Sequence, residues 1–257
     1  MAGEKEETFA NWIKDLINTD NCVFYYGTSN DDKQLIVDAF NCFKPNSNPN
    51  LFPDLLIDDG FIEHFEITSS KETRKGSSHQ KDFHKFKMGY EKELKKLAES
   101  EGDGEIKNQF VHKGHSYENL VHSIDRNLNH HLESLQKYSG NKTKKMFLMC
   151  YSDRTIHTVC EYPDEEKIKD NPAIKELYNQ ERHYYDYLLS RDKDMLTKLY
   201  EYRDNIDYII FANWVCVEII KVSSIPDIVK KIQLKYSFHS VYFADVFYDS
   251  KISVIDN

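Results

Sequence analysis

No apolar run in the sequence approaches the roughly 18 to 20 residues that a membrane helix needs, and Met1 to Phe9 is charged rather than apolar. Neither a spanning segment nor a secretory leader is therefore expected, which predicts a soluble, cytoplasmic protein. Cysteine is sparse: Cys22, Cys42, Cys150, Cys160 and Cys216 are scattered through apolar contexts, with no Cys-x-x-Cys pair. That pattern argues for reduced, packed thiols and against a disulfide framework or a cysteine zinc site. The glycines lack P-loop spacing. Gly27-Thr28-Ser29 before a helix has no following lysine, so it reads as a plain strand-to-helix connection. Basic residues are outnumbered, 34 against 43 acids, and the net charge of −9 weighs against a surface that binds nucleic acid all over. Internal repeats and low-complexity tails are lacking as well.

What the chain does have is enough apolar material to fold. Its 257 residues are 40% hydrophobic and 13% aromatic, sufficient for one large core or two modest ones. Phe9, Trp12, Ile13 and Leu16 fall at helical spacing, which predicts an amphipathic helix over Thr8 to Leu16. Cys22 to Tyr26 reads as a strand. Asp31 to Phe43 reads as a helix, with Ser29, Asn30 or Asp31 as its cap and Leu35, Ile36, Ala39, Phe40 and Phe43 on its buried side. Lys44 to Pro53 is rich in Pro and Asn and interrupts both kinds of element. Lys81 to Ala98 reads as a charged helix, and Ser116 to Tyr138 as a long helix buried through Leu120, Ile124, Leu128, Leu132 and Leu135. Lys145 to Tyr151 is apolar nearly throughout, as a strand covered on both faces should be. Further on, helices are expected near Asn171 to Asn179, Glu181 to Tyr202 and Pro226 to Gln233. Strands are expected at Ile206 to Ala212, Val215 to Val222, Val241 to Phe247 and Ile252 to Ile255. The aromatics of Glu181 to Tyr187, Tyr184, Tyr185 and Tyr187 among them, read as core residues at helical spacing, against the alternative of stacking on bases, and Trp214 reads as structural.

The stretch from Phe52 to Ser70 carries the chemistry. Leu55 to Ile57 is a short apolar run, Asp58-Asp59-Gly60 is turn chemistry, and Phe61 to Thr68 reads as a returning strand. Alternation puts His64, Glu66 and Thr68 on one face, with Phe65 and Ile67 turned to the core. Folding this hairpin is expected to bring the Asp54 carboxylate near that of Glu66. Two crowded carboxylates repel unless a proton or cation sits between them, and oxygen donors of this kind suit Mg²⁺ or Mn²⁺. The plain alternative is a surface hairpin whose acids are merely solvated.

Pro53-Asp54, eleven intervening residues and then Glu66-Ile67-Thr68 resembles the PD-(D/E)XK nuclease superfamily. The resemblance implies a restriction-endonuclease-like α/β fold, a mixed sheet flanked by helices. The nuclease-like core would span about residues 20–155, followed by a C-terminal α/β elaboration over about 156–257 of a single domain. It also implies Asp54 and Glu66 as metal ligands, the Ile67 carbonyl as a third donor, and Asp38 as a helix acid assisting them. The sequence departs from the family at Thr68, which stands where the motif lysine belongs. Lys71 or Lys75 is then expected to supply the positive charge, with Thr68 at most a hydrogen-bond donor.

The segment after the hairpin is locally basic. From Lys71 to Lys96 there are nine basic residues and four acids, in a chain that is acidic as a whole. Lys71, Arg74, Lys81 and Lys85 are the expected backbone contacts to nucleic acid, against the alternative of an ordinary solvated helix face. His112 and His115, three residues apart, lack a third ligand on the same element and do not make a metal site. By the resemblance, polar groups of the Asn127 to His131 turn could face the metal site as a Gln or Lys does in some relatives; a solvated face is the expectation here. The function expected is thus Mg²⁺-dependent (or Mn²⁺-dependent) phosphodiester hydrolysis on DNA, with Asp54, Glu66, Thr68 and Lys75 at the reacting centre. The competing expectation is a non-catalytic nucleic-acid-binding or regulatory protein that keeps the fold. DNA is the expected partner, no membrane is, and a homodimer is left open.

Overall fold

A computed structural model of the chain describes residues 2–48, 51–73, 76–100, 102–111, 115–151, 153, 156–162, 182–184, 186–213, 215–232, 235–241 and 244–251. The fold is α/β, built on a seven-stranded mixed sheet with helices on both faces. Helix α1 (Ala2–Thr19) leads into β1 (Val23–Tyr26) and α2 (Asn30–Cys42). Ser29 caps α2 in a reciprocal box, its hydroxyl taking the Asp32 amide while the Asp32 carboxylate takes the Ser29 amide. The same carboxylate accepts from Tyr208 and Lys221, so the cap also ties α2 to the sheet.

Short β2 (Lys44–Pro45), β3 (Leu55–Ile57) and β4 (Gly60–Ile67) form an antiparallel meander. Helix α4 (Tyr117–Lys137) then crosses over to β8 (Lys144–Tyr151), which runs parallel to β4. The remaining strands of this sheet are β11 (Tyr208–Ala212), parallel to β8, and β12 (Val217–Lys221), which returns antiparallel and closes beside β1, giving the order β1-β12-β11-β8-β4-β3-β2. Both halves of the sequence therefore contribute to one sheet. Gly60 permits the tight start of β4, because a side chain there would collide with the Lys144 backbone.

Alternation along β4 divides the core. Phe61, Phe65 and Ile67 pack with Leu120, Ile124, Leu128, Leu132 and Leu135 of α4, on the face also covered by α5 (Lys193–Tyr200) and α6 (Ile225–Lys231). Ile62 joins Ala10, Ile13, Ile36 and Phe40 of α1 and α2 on the other face. Each fully buried Phe or Ile contributes about 1.5 to 3 kcal/mol, so register in β4 is strongly specified.

Outside the main sheet, β5 (Glu72–Thr73) and β6 (Gly76–Ser77) make a short hairpin leading into α3 (Ser78–Glu99). Helix α3 lies on a two-stranded ribbon of β7 (Gly104–Val111) and β14 (Ala244–Lys251). Its Phe83, Phe86 and Tyr90 meet Phe110 and Phe247 at ring-centre distances of 5.1 to 6.4 Å. A three-stranded sheet combines β9 (Ile156–Tyr162), β10 (Arg182–Tyr184) and β13 (Lys235–Val241).

Several sequence expectations need correction. The connector 44–53 does pair, through β2, whose proline is tolerated because the strand lies at the sheet edge. Asn46 holds the rest of it, its amide donating to Asp54 O and its side chain to Leu51 O and Pro53 O. The long helix over Glu181 to Tyr202 is not formed. Buried Asp192 caps α5 at Met195 N and accepts from Tyr187 and Tyr117, so the helix starts only at Lys193. Strands β7, β9 and β13 had no predicted counterpart, and the strand expected at Val241 to Phe247 is met by β14. The helix expected at Asn171 to Asn179, Tyr185, Trp214 and Ile252 to Ile255 lie outside the described residues. Among the described residues, no helix is long and apolar enough to cross a membrane.

Candidate active site

The β3–β4 register decides which acids meet. Leu55 stands opposite Ile62, and the next pair outward is Asp54 with Glu63. One bond joins the two residues, the Asp54 amide donating to Glu63 Oε2 at 3.0 Å, while Asp54 Oδ2 accepts the neighbouring His64 amide at 2.9 Å. Glu66 lies three residues further along β4, about 10 Å away at 3.3 to 3.4 Å per residue. The carboxylate gathered beside Asp54 is thus that of Glu63, which alternation directs toward α4.

Helix α4 meets it there. His131 Nδ1 contacts Glu63 Oε1, and its ring stacks on Phe65 with centres 4.9 Å apart. One turn earlier, Asn127 Nδ2 donates to the Glu66 carbonyl at 3.2 Å. Asn127 and His131 therefore face the strand, since both side chains answer polar groups that burial would otherwise leave unsatisfied, while Asn129 and His130 of the same turn are exposed as expected.

Electrostatics at this cluster favour neutral forms. Burial pushes the Glu63 carboxyl up to about 8, with the Asp54 amide opposing and the Glu6 charge adding. Burial also pushes Asp54 up to about 7, reinforced by Glu63 and Glu6 and opposed by the His64 amide and His131. His131 is lowered by burial against the attraction of Asp54. A protonated Glu63 facing a neutral imidazole satisfies both tendencies. Glu6 of α1 is the third acid in reach, and Phe9, one turn on, stacks on His64 at 5.3 Å. The helix acid near the hairpin is therefore Glu6, whereas Asp38 is exposed on α2 and accepts from Gln34. Asp38 instead lines a cavity of about 450 Å³ beside the Asp58-Asp59 turn, at the opposite end of β3.

A second polar cluster closes the adjacent C-terminal ends of parallel β4 and β8. Thr68 Oγ1 donates to both oxygens of Asp153, at 3.0 and 2.9 Å, and the Ser69 amide and hydroxyl also donate to Asp153. Ser69 Oγ further meets His115 Nδ1 at 2.8 Å and the Tyr151 hydroxyl at 3.0 Å. Burial pushes Asp153 up, but the bonds from His115 and Ser69 outweigh it and hold the carboxyl below its ordinary value. Ser, His and Asp together suggest a nucleophile triad. The geometry is not one, because Asp153 and Ser69 approach the same ring nitrogen and Ser69 is fully buried. The cluster locks the exit of β4.

Each residue singled out in the sequence now has a place. Asp54 lies in the acid cluster; Glu66 is half-buried, on the strand face opposite Glu63. The Ile67 side chain is core, and Thr68 bonds to Asp153. Lys71, Lys81 and Lys85 are exposed, the last two on the face of α3 turned away from its aromatic floor. Arg74, Lys75 and His112 lie outside the described residues. Glu63 and Glu6 were missed by sequence reasoning, and His131 entered it only as part of the Asn127 to His131 turn. The available signal was the two-residue turn Asp58-Asp59, which makes Ile57 pair with Gly60 and so sets Asp54 against Glu63.

The donor set is compatible with a hydrated Mg²⁺, which commonly takes one or two carboxylates and keeps several waters. Asp54 and Glu63 supply two hard oxygen donors whose crowding a cation would relieve. Among the described residues, no group of three His, Cys, Asp or Glu side chains is assembled for a metal. No protein-family model matches the chain, and no curated protein and no solved structure does so.

Proposed function

We propose that the protein is a metal-dependent phosphodiesterase acting on DNA, of the restriction-endonuclease-like type. The observation that carries this reading is the Asp54–Glu63 pair, two desolvated carboxylates from opposite arms of a hairpin whose ordinary acidity is suppressed. Groups perturbed in this way by burial and a specific charged neighbour are characteristic of functional sites. The order meander, crossover helix and parallel strand in β3, β4, α4 and β8 further supports it. Asp54 and Glu63 would hold Mg²⁺ or Mn²⁺, which supplies Lewis acidity and an activated water. The His64 amide orients the Asp54 carboxylate, and His131 Nδ1 is placed to take the proton that Glu63 gives up on ionising. Exposed Lys71, Lys81 and Lys85 would track the DNA backbone.

One observation favours a second reading, a non-catalytic nucleic-acid-binding or regulatory protein. Thr68, at the motif lysine position, is committed to Asp153 and brings no positive charge. The test is Mn²⁺ binding followed by paramagnetic resonance, together with cleavage of duplex and single-stranded DNA, for the native chain and Asp54→Asn. Metal binding and cleavage that both fall at least about 100-fold in the variant support the phosphodiesterase. DNA binding without cleavage leaves the second reading. Absence of Mn²⁺ binding at millimolar concentration removes the metal from either.

A further inference from the structure

The turn into β1 carries a cysteine, and so does the turn into β12. These two strands run parallel with Val23 opposite Val217, and the Val217 amide donates to the Cys22 carbonyl at 2.9 Å. Carrying the register back one step sets Cys22 opposite Cys216. Neighbouring strands lie about 4.8 Å apart, inside the range of about 4.4 to 6.8 Å between α-carbons that a disulfide spans. Both thiols are free. Cys22 is exposed and sits at φ +55°, a left-handed conformation uncommon for a side chain of its size. Asp20, two residues earlier, is also left-handed at φ +48°, so the α1–β1 connection is a bent, surface-lying segment. Cys216 is buried at 3% exposure, held by the Asn213 side chain at its amide.

We propose that Cys22 and Cys216 are a peroxide-responsive pair that closes to a disulfide across the β1–β12 edge. The exposed thiol reacts first. The Cys22 sulfur attacks one peroxide oxygen, the O–O bond breaks, and the departing hydroxide takes a proton as water. Cys22 is thereby oxidised by two electrons to a sulfenic acid and the peroxide is reduced. The Cys216 sulfur then attacks the Cys22 sulfur, the S–S bond forms, and the sulfenic hydroxyl leaves as water with the Cys216 proton. Two thiols and one peroxide give one disulfide and two waters. Closure requires Cys22 Sγ to leave Asn21 Oδ1, to which it hydrogen-bonds at 3.4 Å, a side-chain rotation at the surface.

The division of roles follows from the surroundings. Burial raises the Cys216 thiol to about 12, with Glu218, Asp186 and Cys22 adding and Asn213 opposing, so this sulfur is a poor first nucleophile and an inert store until its partner is oxidised. The second step is therefore the slow one, and sulfenic acid accumulates on Cys22 before the bond forms. Once formed, the bond pins the C-terminal end of α1 to the β11–β12 turn and closes a loop that spans most of the chain. In a reducing compartment such a bond forms only on oxidant exposure, as redox-sensing disulfides do.

The test treats the purified full-length chain with one to ten equivalents of hydrogen peroxide, with and without dimedone, and maps the products by peptide mass spectrometry without reduction. A Cys22–Cys216 linked peptide, a transient dimedone adduct at Cys22, and a Tm raised by about 5 °C or more and restored by dithiothreitol are expected. Cys22→Ser, a change at an exposed position, should abolish the link, and Cys216→Ser should leave the dimedone adduct to persist. Both thiols remaining fully alkylatable after peroxide would overturn the proposal, as would a linked peptide that joins Cys42, Cys150 or Cys160 instead. If Cys216→Ser does not fold, the native chain and Cys22→Ser decide the question alone.

Discussion

Replacing Glu63 by Gln should stabilise the protein at slightly alkaline pH, although Glu63 lies in the core and engages two partners. The carboxyl titrates near 4.5 in the unfolded chain and is raised to about 8 in the fold. Below pH 4.5 both states hold the proton and the group is neutral to stability. Between 4.5 and 8 the unfolded state ionises first, so stability falls as pH rises, by about 1.4 kcal/mol for each unit. Above 8 the penalty levels off at an upper bound of about 5 kcal/mol. Gln keeps the shape, accepts the Asp54 amide through its carbonyl and donates to a neutral His131 through its amide, so little is lost. The coupled Asp54 also sheds a repulsive neighbour. With allowance for imperfect fit, a gain of about 2 to 3 kcal/mol at pH 8 is expected, roughly 5 to 10 °C in Tm. At pH 4.5 the gain should vanish. The assay is thermal unfolding of both proteins from pH 4.5 to 8.5, repeated with 10 mM Mg²⁺ as a chosen saturating condition on the order of tens of typical weak-site dissociation constants. Magnesium should recover stability in the native chain above pH 7 and leave the variant unmoved. Parallel pH profiles for the two proteins, or a variant less stable than native at pH 8, would refute the buried-charge argument.

Asp153→Asn should cost about 1.5 to 3 kcal/mol at pH 7, because the charged acceptor for Thr68 and Ser69 is lost. Since the Asp153 carboxyl is lowered in the fold, its stabilisation is present above the unfolded value of 3.8 and disappears as pH falls; urea unfolding at pH 7 and pH 3.5 should show the gap closing. Thr68→Lys, which the family pattern suggests would raise cleavage, should leave it level, because the new ammonium would pair with Asp153; a clear rise in rate would show that Asp153 releases it. Reversing Lys81, Lys85 and Lys92 to Glu, all exposed on α3, should flatten the dependence of DNA affinity on salt without moving Tm, and an unchanged slope would return them to an ordinary solvated face.

The elements with strong periodicity were legible. The α4 stripe of Leu120, Ile124, Leu128, Leu132 and Leu135 is buried as its spacing demands, and the unbroken apolar run of β8 is covered on both faces. The hairpin was legible too, including Phe65 and Ile67 in the core. Its acid pairing was not, because the family spacing points to Glu66, while the two-residue turn fixes a register that sets Asp54 against Glu63. Glu63 looked like any charged residue on a strand; only the arrival of His131 from a helix some 70 positions later makes it a member of a site. The polar lock around Asp153 joins residues 68, 69, 115, 151 and 153, a separation that no local pattern encodes. Beyond residue 180, tertiary bonds to Asp192 overrode helical aromatic spacing, which is where propensity is a weak guide.

The ribbon beneath α3 has a consequence for the order in which the molecule can assemble. Strand β7 pairs along its full length with β14, so that Gly104 faces Lys251 and Val111 faces Ala244. The aromatic floor on which Phe86 and Tyr90 rest is half supplied by Phe247. During synthesis the basic helix is therefore made early but has nowhere complete to dock until residues some 140 positions later have been added. In that interval its exposed phenylalanines and the unpaired edge of β7 are open to other chains, a hazard typical of long-range strand pairing. The lysines that alternate with those aromatics keep the waiting segment charged. Charges placed beside exposed aromatics in this way act as gatekeepers against aggregation while the chain is still being made.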